Sequence, residues 1–166
     1  MSLAGTKTPE NSWTEKEIEE QELVTNSIVE GLKNSNCTNL KTDGPNTIKA
    51  GKIEHLRTLI SCDLKDKKDW TKVVQTLHPT PAVCGIPKLK AMDYIQQLEN
   101  HDRQFYTGFI GIVKEDKKDL FVNLRCMQHF NGFAKLYLGG GITAPSDEEA
   151  EWLETEKKGM TLGSIL

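Results

Sequence analysis

The sequence predicts an α+β fold, an antiparallel β-sheet meander flanked by helices. Three strand-like runs, 105–114, 120–127 and 133–139, follow one another at short spacing, and the second connection holds the hairpin pair Asn131-Gly132. A long helical pattern precedes them, with Val24, Ile28 and Leu32 at i, i+4 spacing. A helix start follows them, where Ser146 or Asp147 can cap a first turn containing Glu148, Glu149 and Glu151. Helices outside a run of strands read as α+β.

The opening Met1-Ser2-Leu3 reads as an expression scar and is set aside, so the domain is taken as 4–166. From Trp13 to Lys33 the period is helical, with Ser12 and Thr14 as candidate caps. Glu17 and Glu20 extend the apolar stripe toward the N-terminus, which would turn both carboxylates toward the interior. The plainer alternative is a charged first turn favoured by the helix dipole. Residues 34–46 are polar and turn-rich and read as a loop. Residues 48–64 read as mostly strand, 66–69 as a charged turn and 70–77 as a short helix. Pro79, Pro81, Gly85 and Pro87 make 77–87 a rigid loop with no regular helix. Residues 88–100 form a helix with Leu89, Met92, Ile95 and Leu98 on one side. In the middle strand, Phe121, Asn123 and Arg125 share one face, which places Arg125 near a strand end.

The chain of 166 residues suffices for one core. Its net charge of −3, with both signs interspersed, points to neither nucleic acid nor an anionic membrane. No apolar run approaches the ~20 residues of a membrane span. Cys37, Cys62, Cys84 and Cys126 are scattered, suggesting neither a zinc knuckle nor a redox pair, and Cys62 and Cys126 fall in strand-like runs as reduced core residues. A cytoplasmic protein is the default expectation.

The chemistry concentrates at the C-terminal end. Gly139-Gly140-Gly141 lets backbone N–H groups approach a ligand and take positive φ. Beyond it Glu151, Glu154 and Lys158 lie at i, i+3 and i+7, on one helix face. A glycine turn, a helix start and aligned carboxylates suit an anion, a divalent cation or both; a capped, solvated surface helix is the alternative. His78 stands on the proline-stiffened loop, while His55, His101 and His129 read as structural. Arg125 can bind a carboxylate bidentately or be a strand-end charge. Tyr106 can present its hydroxyl to a ligand or simply pack, and Lys158 can staple Glu154.

In order along the chain, these segments resemble the C-terminal half of chorismate-utilising enzymes. The matching stretches are Ala4-Gly5-Thr6, Lys16-Glu17-x-x-Glu20, Leu77-His78-Pro79-Thr80-Pro81-Ala82-Val83-Cys84-Gly85-x-Pro87, Arg103-x-x-Tyr106-x-Gly108, Leu124-Arg125, Gly139-Gly140-Gly141-Ile142 and Glu151-x-x-Glu154-Thr155-x-x-Lys158. The His-Pro-Thr loop is similar to the isochorismate and salicylate synthase branch, isochorismate synthase most of all. The resemblance implies the chorismate-binding fold, also that of anthranilate synthase component I, and Mg²⁺ as cofactor. Glu20 and Glu154 would hold the ion, with Glu17 and Glu151 as neighbours. Tyr106, Arg125, Gly139 and Gly141 would hold the enolpyruvyl carboxylate of chorismate, and Lys158 would lie near the ring carboxylate. Gly5 and Thr6 would contact the ring side, His78 would be auxiliary to it, and Ala82 and Val83 lean toward isochorismate as product. Gln21 stands where the family often has histidine. The family's lysine base and glutamate acid precede the Ala-Gly-Thr segment, so the chain is expected to be an inactive C-terminal piece of an enzyme of menaquinone or siderophore biosynthesis. Exposed sheet edges are then expected to favour self-association. A salicylate synthase fragment and a non-catalytic Mg²⁺ or carboxylate-binding module are the competing readings.

Overall fold

The computed structural model describes residues 1–51 and 53–163, so position 52 and the last three residues of the expected domain lie outside it. The elements are β1 (Ser2–Lys7), α1 (Glu15–Lys33), β2 (Cys37–Ala50), β3 (Ile53–Leu64), a 3-10 turn at Lys67–Asp69, α2 (Trp70–Leu77), α3 (Pro81–Cys84) and α4 (Lys88–Leu98). They continue with β4 (Phe109–Val113), β5 (Lys118–Val122), β6 (Cys126–Phe130), β7 (Phe133–Tyr137) and α5 (Glu148–Gly163). Two compact units share them, Met1–Met92 and Asp93–Leu166, with the boundary inside α4. Helices accompany antiparallel sheets, as the α+β expectation requires.

The first unit is a three-stranded antiparallel sheet of order β1-β3-β2 with α1 packed on one face. Alternation along β3 divides its residues: Leu56 and Thr58 are buried, while Leu59 is exposed. Val24, Ile28 and Leu32 close the core with Ala4, and Ile60, Cys62, Val73 and Leu77 pack around them. The stripe continues toward the N-terminus through Gln21, 1% exposed, whereas Glu17 and Glu20 are half-buried. Of the two candidate caps Thr14 is used: its N–H donates to Glu17 Oε2 at 2.8 Å and its hydroxyl donates to the same oxygen. Thr14→Ala is expected to cost about 1 kcal/mol, measurable as a lower urea midpoint at unchanged slope.

Several expectations are corrected here. Ser2 and Leu3 belong to β1, and Ser2 is buried, so residues set aside as a scar are part of the sheet. The polar stretch read as a loop is most of β2, an edge strand with irregular pairing at 38–41 and 43–46. An edge strand can expose both faces and carry Pro45, since backbone pairing to β3 rather than side-chain burial holds it. The run 48–64 is accordingly two strands, with Ala50 opposite Ile53 across a turn containing Gly51. Residues 81–84 form one helical turn, because Pro81 suits the first helical position. The cysteines are not all apart in space: Cys37 and Cys62 lie diagonally across the β2–β3 pair, and burial, then Cys37, pushes the Cys62 thiol up to about 11. Cys84 is the buried cysteine, and all four are free.

The second unit holds two separate hairpins, β4-β5 and β6-β7, in place of a continuous three-strand meander. The middle run breaks at 123–125, where Arg125 adopts φ 50°. The second hairpin turns tightly at Asn131-Gly132, with Phe130 opposite Phe133. No residue of α4 is buried, and Leu89 is 77% exposed, so neither unit closes over the predicted stripe.

Candidate functional site

In the first unit the site residues gather where β1 meets α1. The pairing of β1 with β3 is irregular between Ala4 and Thr6, and Gly5 takes φ 69° there. A Cβ on Gly5 would sit 3.0 Å from Glu17 Cβ, so both backbone and space call for glycine. The Gly5 carbonyl meets His55 Nδ1 at 3.0 Å, and Thr6 Oγ1 lies 3.1 Å from the same nitrogen. A carbonyl only accepts, so Nδ1 carries the proton, and Nε2 of the neutral ring is the acceptor. His55, read as structural from sequence, is therefore the histidine beside Gly5 and Thr6. Its signal was indirect: a histidine in an apolar strand that pairs with the Ala-Gly-Thr segment.

His78 instead ends α2, where its carbonyl accepts Lys88 Nζ at 2.8 Å. Burial, then the Lys88 ammonium, holds the imidazole below its usual pKa. A depressed folded pKa gives stability that is complete above the unfolded value and lost as pH falls through the folded one. Wild type should therefore lose melting temperature relative to His78→Gln as pH falls from about 7 to about 5; a pH-independent difference would refute this. Of the two residues placed at the product-determining wall, Ala82 is exposed and Val83 half-buried.

In the second unit α5 and the glycine loop assemble directly. Asp147 Oδ1 accepts Ala150 N–H at 2.9 Å and caps α5. Ser146 does other work, donating to Glu151 Oε1 at 2.6 Å and accepting Thr143 N–H at 3.0 Å. Glu151 is 6% exposed, with one oxygen facing Gly140, whose added Cβ would lie 3.4 Å from it. Lys158 Nζ donates to the Gly139 carbonyl at 3.0 Å and to Glu154 at 2.7 Å, joining helix face to loop. Gly139 and Gly140 do not take positive φ. Gly139 is required for space, since a Cβ would meet the Tyr106 hydroxyl at 2.7 Å.

Tyr106 is held from beneath. Arg103 bonds Glu99 through Nε at 2.7 Å and Nη2 at 2.5 Å, and its guanidinium lies 5.7 Å from the Tyr106 ring centroid. That bond holds the Glu99 carboxyl below the usual carboxylate range, while burial pushes the Tyr106 phenol up. This Glu99–Arg103 support escaped the sequence reading, although its i, i+4 spacing was visible. Arg125, exposed and between strands, makes no side-chain hydrogen bond or ion pair among the described residues.

Of the glutamates, Glu20 lies in the first unit and Glu154 in the second. Within neither unit do three or more His, Cys, Asp or Glu among the described residues gather to hold a metal ion. No described helix is long and apolar enough to cross a membrane.

Residues 12–166 match the family of chorismate binding enzymes. The chain is 34% identical over 152 residues to the vibriobactin-specific isochorismate synthase of Vibrio cholerae, covering 90% of this chain and 38% of that one. It is 32% identical over 150 residues to isochorismate synthase DhbC of Bacillus subtilis, covering 89% and 37%. It is similar to the crystal structure of DhbC from Bacillus anthracis, with TM-score 0.79 and 28% identity, covering 95% of this chain and 46% of that one. The chain thus spans less than half the length of these relatives.

Proposed function

Because the chain belongs to the chorismate-binding enzyme family, we propose that it supplies the metal and carboxylate sites of an isochorismate synthase, which interconverts chorismate and isochorismate. The observation that carries this reading is the cluster in the second unit. Tyr106, Gly139, Lys158 and Glu154 stand together there, with Glu151 against Gly140, offering a hydroxyl, an ammonium and close backbone approach to a carboxylate. By the resemblance Arg125 would join them on the same substrate group.

The glutamates fit a magnesium ion by donor chemistry, since a hard cation takes carboxylate oxygen. Glu20 and Glu154 would be its ligands. Glu17 bonds Thr14 and Glu151 bonds Ser146; by the resemblance both would stand as neighbours to the ligands. The bound ion would screen the repulsion between these carboxylates and the ring carboxylate of chorismate. Gly5 and Thr6 would meet the ring, and His55, fixed through Nδ1, can hold a proton at Nε2.

The reaction adds water at one ring carbon and expels hydroxide from another, so it needs a base and an acid. We place both on polypeptide outside these 166 residues. The test is chorismate with Mg²⁺ on this chain alone, then with the portion of the Bacillus subtilis enzyme that the chain does not match, followed by NMR. Isochorismate only in the second sample is the expected result. Salicylate with pyruvate would favour the salicylate branch. No product in either, with Mg²⁺-dependent binding retained, would favour a non-catalytic binding module.

A further inference from the structure

Cys37 opens β2 opposite Leu64 of β3, and Cys62 stands two residues before that leucine on the same strand. Residues two apart along a strand share a face, so Cys37 and Cys62 lie on one side of the sheet. That side is the packed one, since both residues lie against the core of Val24, Ile28 and Leu32. The thiols meet there: after burial, the hydrogen bond with Cys37 is what raises Cys62 above its ordinary pKa. Both cysteines are free and only partly buried, so neither is sealed from small reagents.

Diagonal neighbours in a regular antiparallel pair stand about 7–8 Å apart at Cα, just beyond the roughly 4.4–6.8 Å of most disulfides. The ladder is not regular at this point. Pairing shifts between Thr38 and Lys41, opposite Cys62, where β2 carries one extra residue and Asn39 takes φ 51°. β2 is also the sheet edge, so its first residues can close the remaining gap without disturbing a second ladder. Cys84 belongs to the helical turn at 81–84 and Cys126 to the other unit, so the sheet aligns neither with this pair.

We propose that Cys37 and Cys62 form a reversible thiol–disulfide pair, which a low-molecular-weight disulfide oxidises to staple the edge strand β2 to β3. Cys37, as thiolate, attacks one sulfur of the small disulfide and releases one small thiol, which takes up the proton. Cys62 then gives up its proton, attacks the Cys37 sulfur and expels the second small thiol. Two protein thiols are oxidised and one small disulfide is reduced to two thiols. Cys62 is the resolving partner because its raised pKa leaves little thiolate for the first attack.

The pair goes beyond the function proposed above and needs neither magnesium nor chorismate. The test treats the folded chain with oxidised glutathione and maps its peptides without reduction by mass spectrometry. The chain should lose two of its four free thiols, yield a Cys37–Cys62 linked peptide within one chain and melt about 5 °C or more higher. Dithiothreitol should reverse all three changes. Cys84→Ser and Cys126→Ser should keep the cross-link, while Cys37→Ser and Cys62→Ser should lose both it and the rise in melting temperature. Mapping of wild type decides the matter even where a serine variant folds poorly. Unreacted thiols, a glutathione adduct that does not close, or links through Cys84, Cys126 or a second chain would overturn the pair. An oxidised chain that melts no higher would overturn the staple.

Discussion

Glu154→Gln is expected to weaken Mg²⁺-dependent binding of chorismate by about 100-fold or more while leaving the chain folded. Replacing a hydrogen-bond partner that merely orients a metal ligand already costs about 10- to 100-fold, so loss of the ligand's own charge should reach at least the upper end. The fold should tolerate the change because Glu154 is nearly half exposed and its ion pair to Lys158 lies on the helix surface. Such a pair contributes only about 0.3–0.5 kcal/mol. Lys158 also keeps its bond to the Gly139 carbonyl. Calorimetric titration of chorismate with and without Mg²⁺, on wild type and variant, checks this. Wild-type binding that ignores Mg²⁺ would remove the metal from the reading, and a variant that binds like wild type would remove Glu154 from the ligand set.

Ile28→Ala is expected to destabilise the first unit by about 2–5 kcal/mol. Ile28 sits at the centre of a small core, with Val24 and Leu32 one turn to either side and Ala4 across from it. Domains have total stabilities of only about 5–15 kcal/mol, so a unit of this size should be largely unfolded at 37 °C once the cavity is made. Urea unfolding followed by far-ultraviolet circular dichroism gives the number. A loss below about 1 kcal/mol would mean that α1 does not pack on the sheet as described. The same substitution should leave the loop-to-helix bonds of Lys158 intact, since these belong to the second unit.

Both predictions rest on features that differ in how visible they were. The apolar stripe of α1 was plain, but its N-terminal continuation was assigned to Glu17 and Glu20, and the buried residue is Gln21. Gln21 tolerates burial because its Nε2 reaches the hydroxyls of Ser2 at 2.7 Å and Thr58 at 2.9 Å, partners 19 and 37 residues away. No local pattern can display such partners. Likewise the glycine run was read as taking positive φ, which Gly139 and Gly140 do not. At Gly139 the constraint is the volume of the Tyr106 hydroxyl rather than left-handed backbone.

The sequence by itself determined the α+β class, the span of α1 and α2, the Asn131-Gly132 hairpin, the start of α5 and the alignment of Glu151, Glu154 and Lys158 on one helix face. All of these follow from short-range rules of period, capping and turn chemistry, which act within a few residues. Only the tertiary structure decided that a polar stretch is an edge strand, that the meander is two hairpins and that His55 stands beside Gly5 and Thr6. These depend on which distant backbone or side chain supplies the hydrogen-bond partner, and that is fixed by pairing across tens of residues rather than by neighbours in the chain.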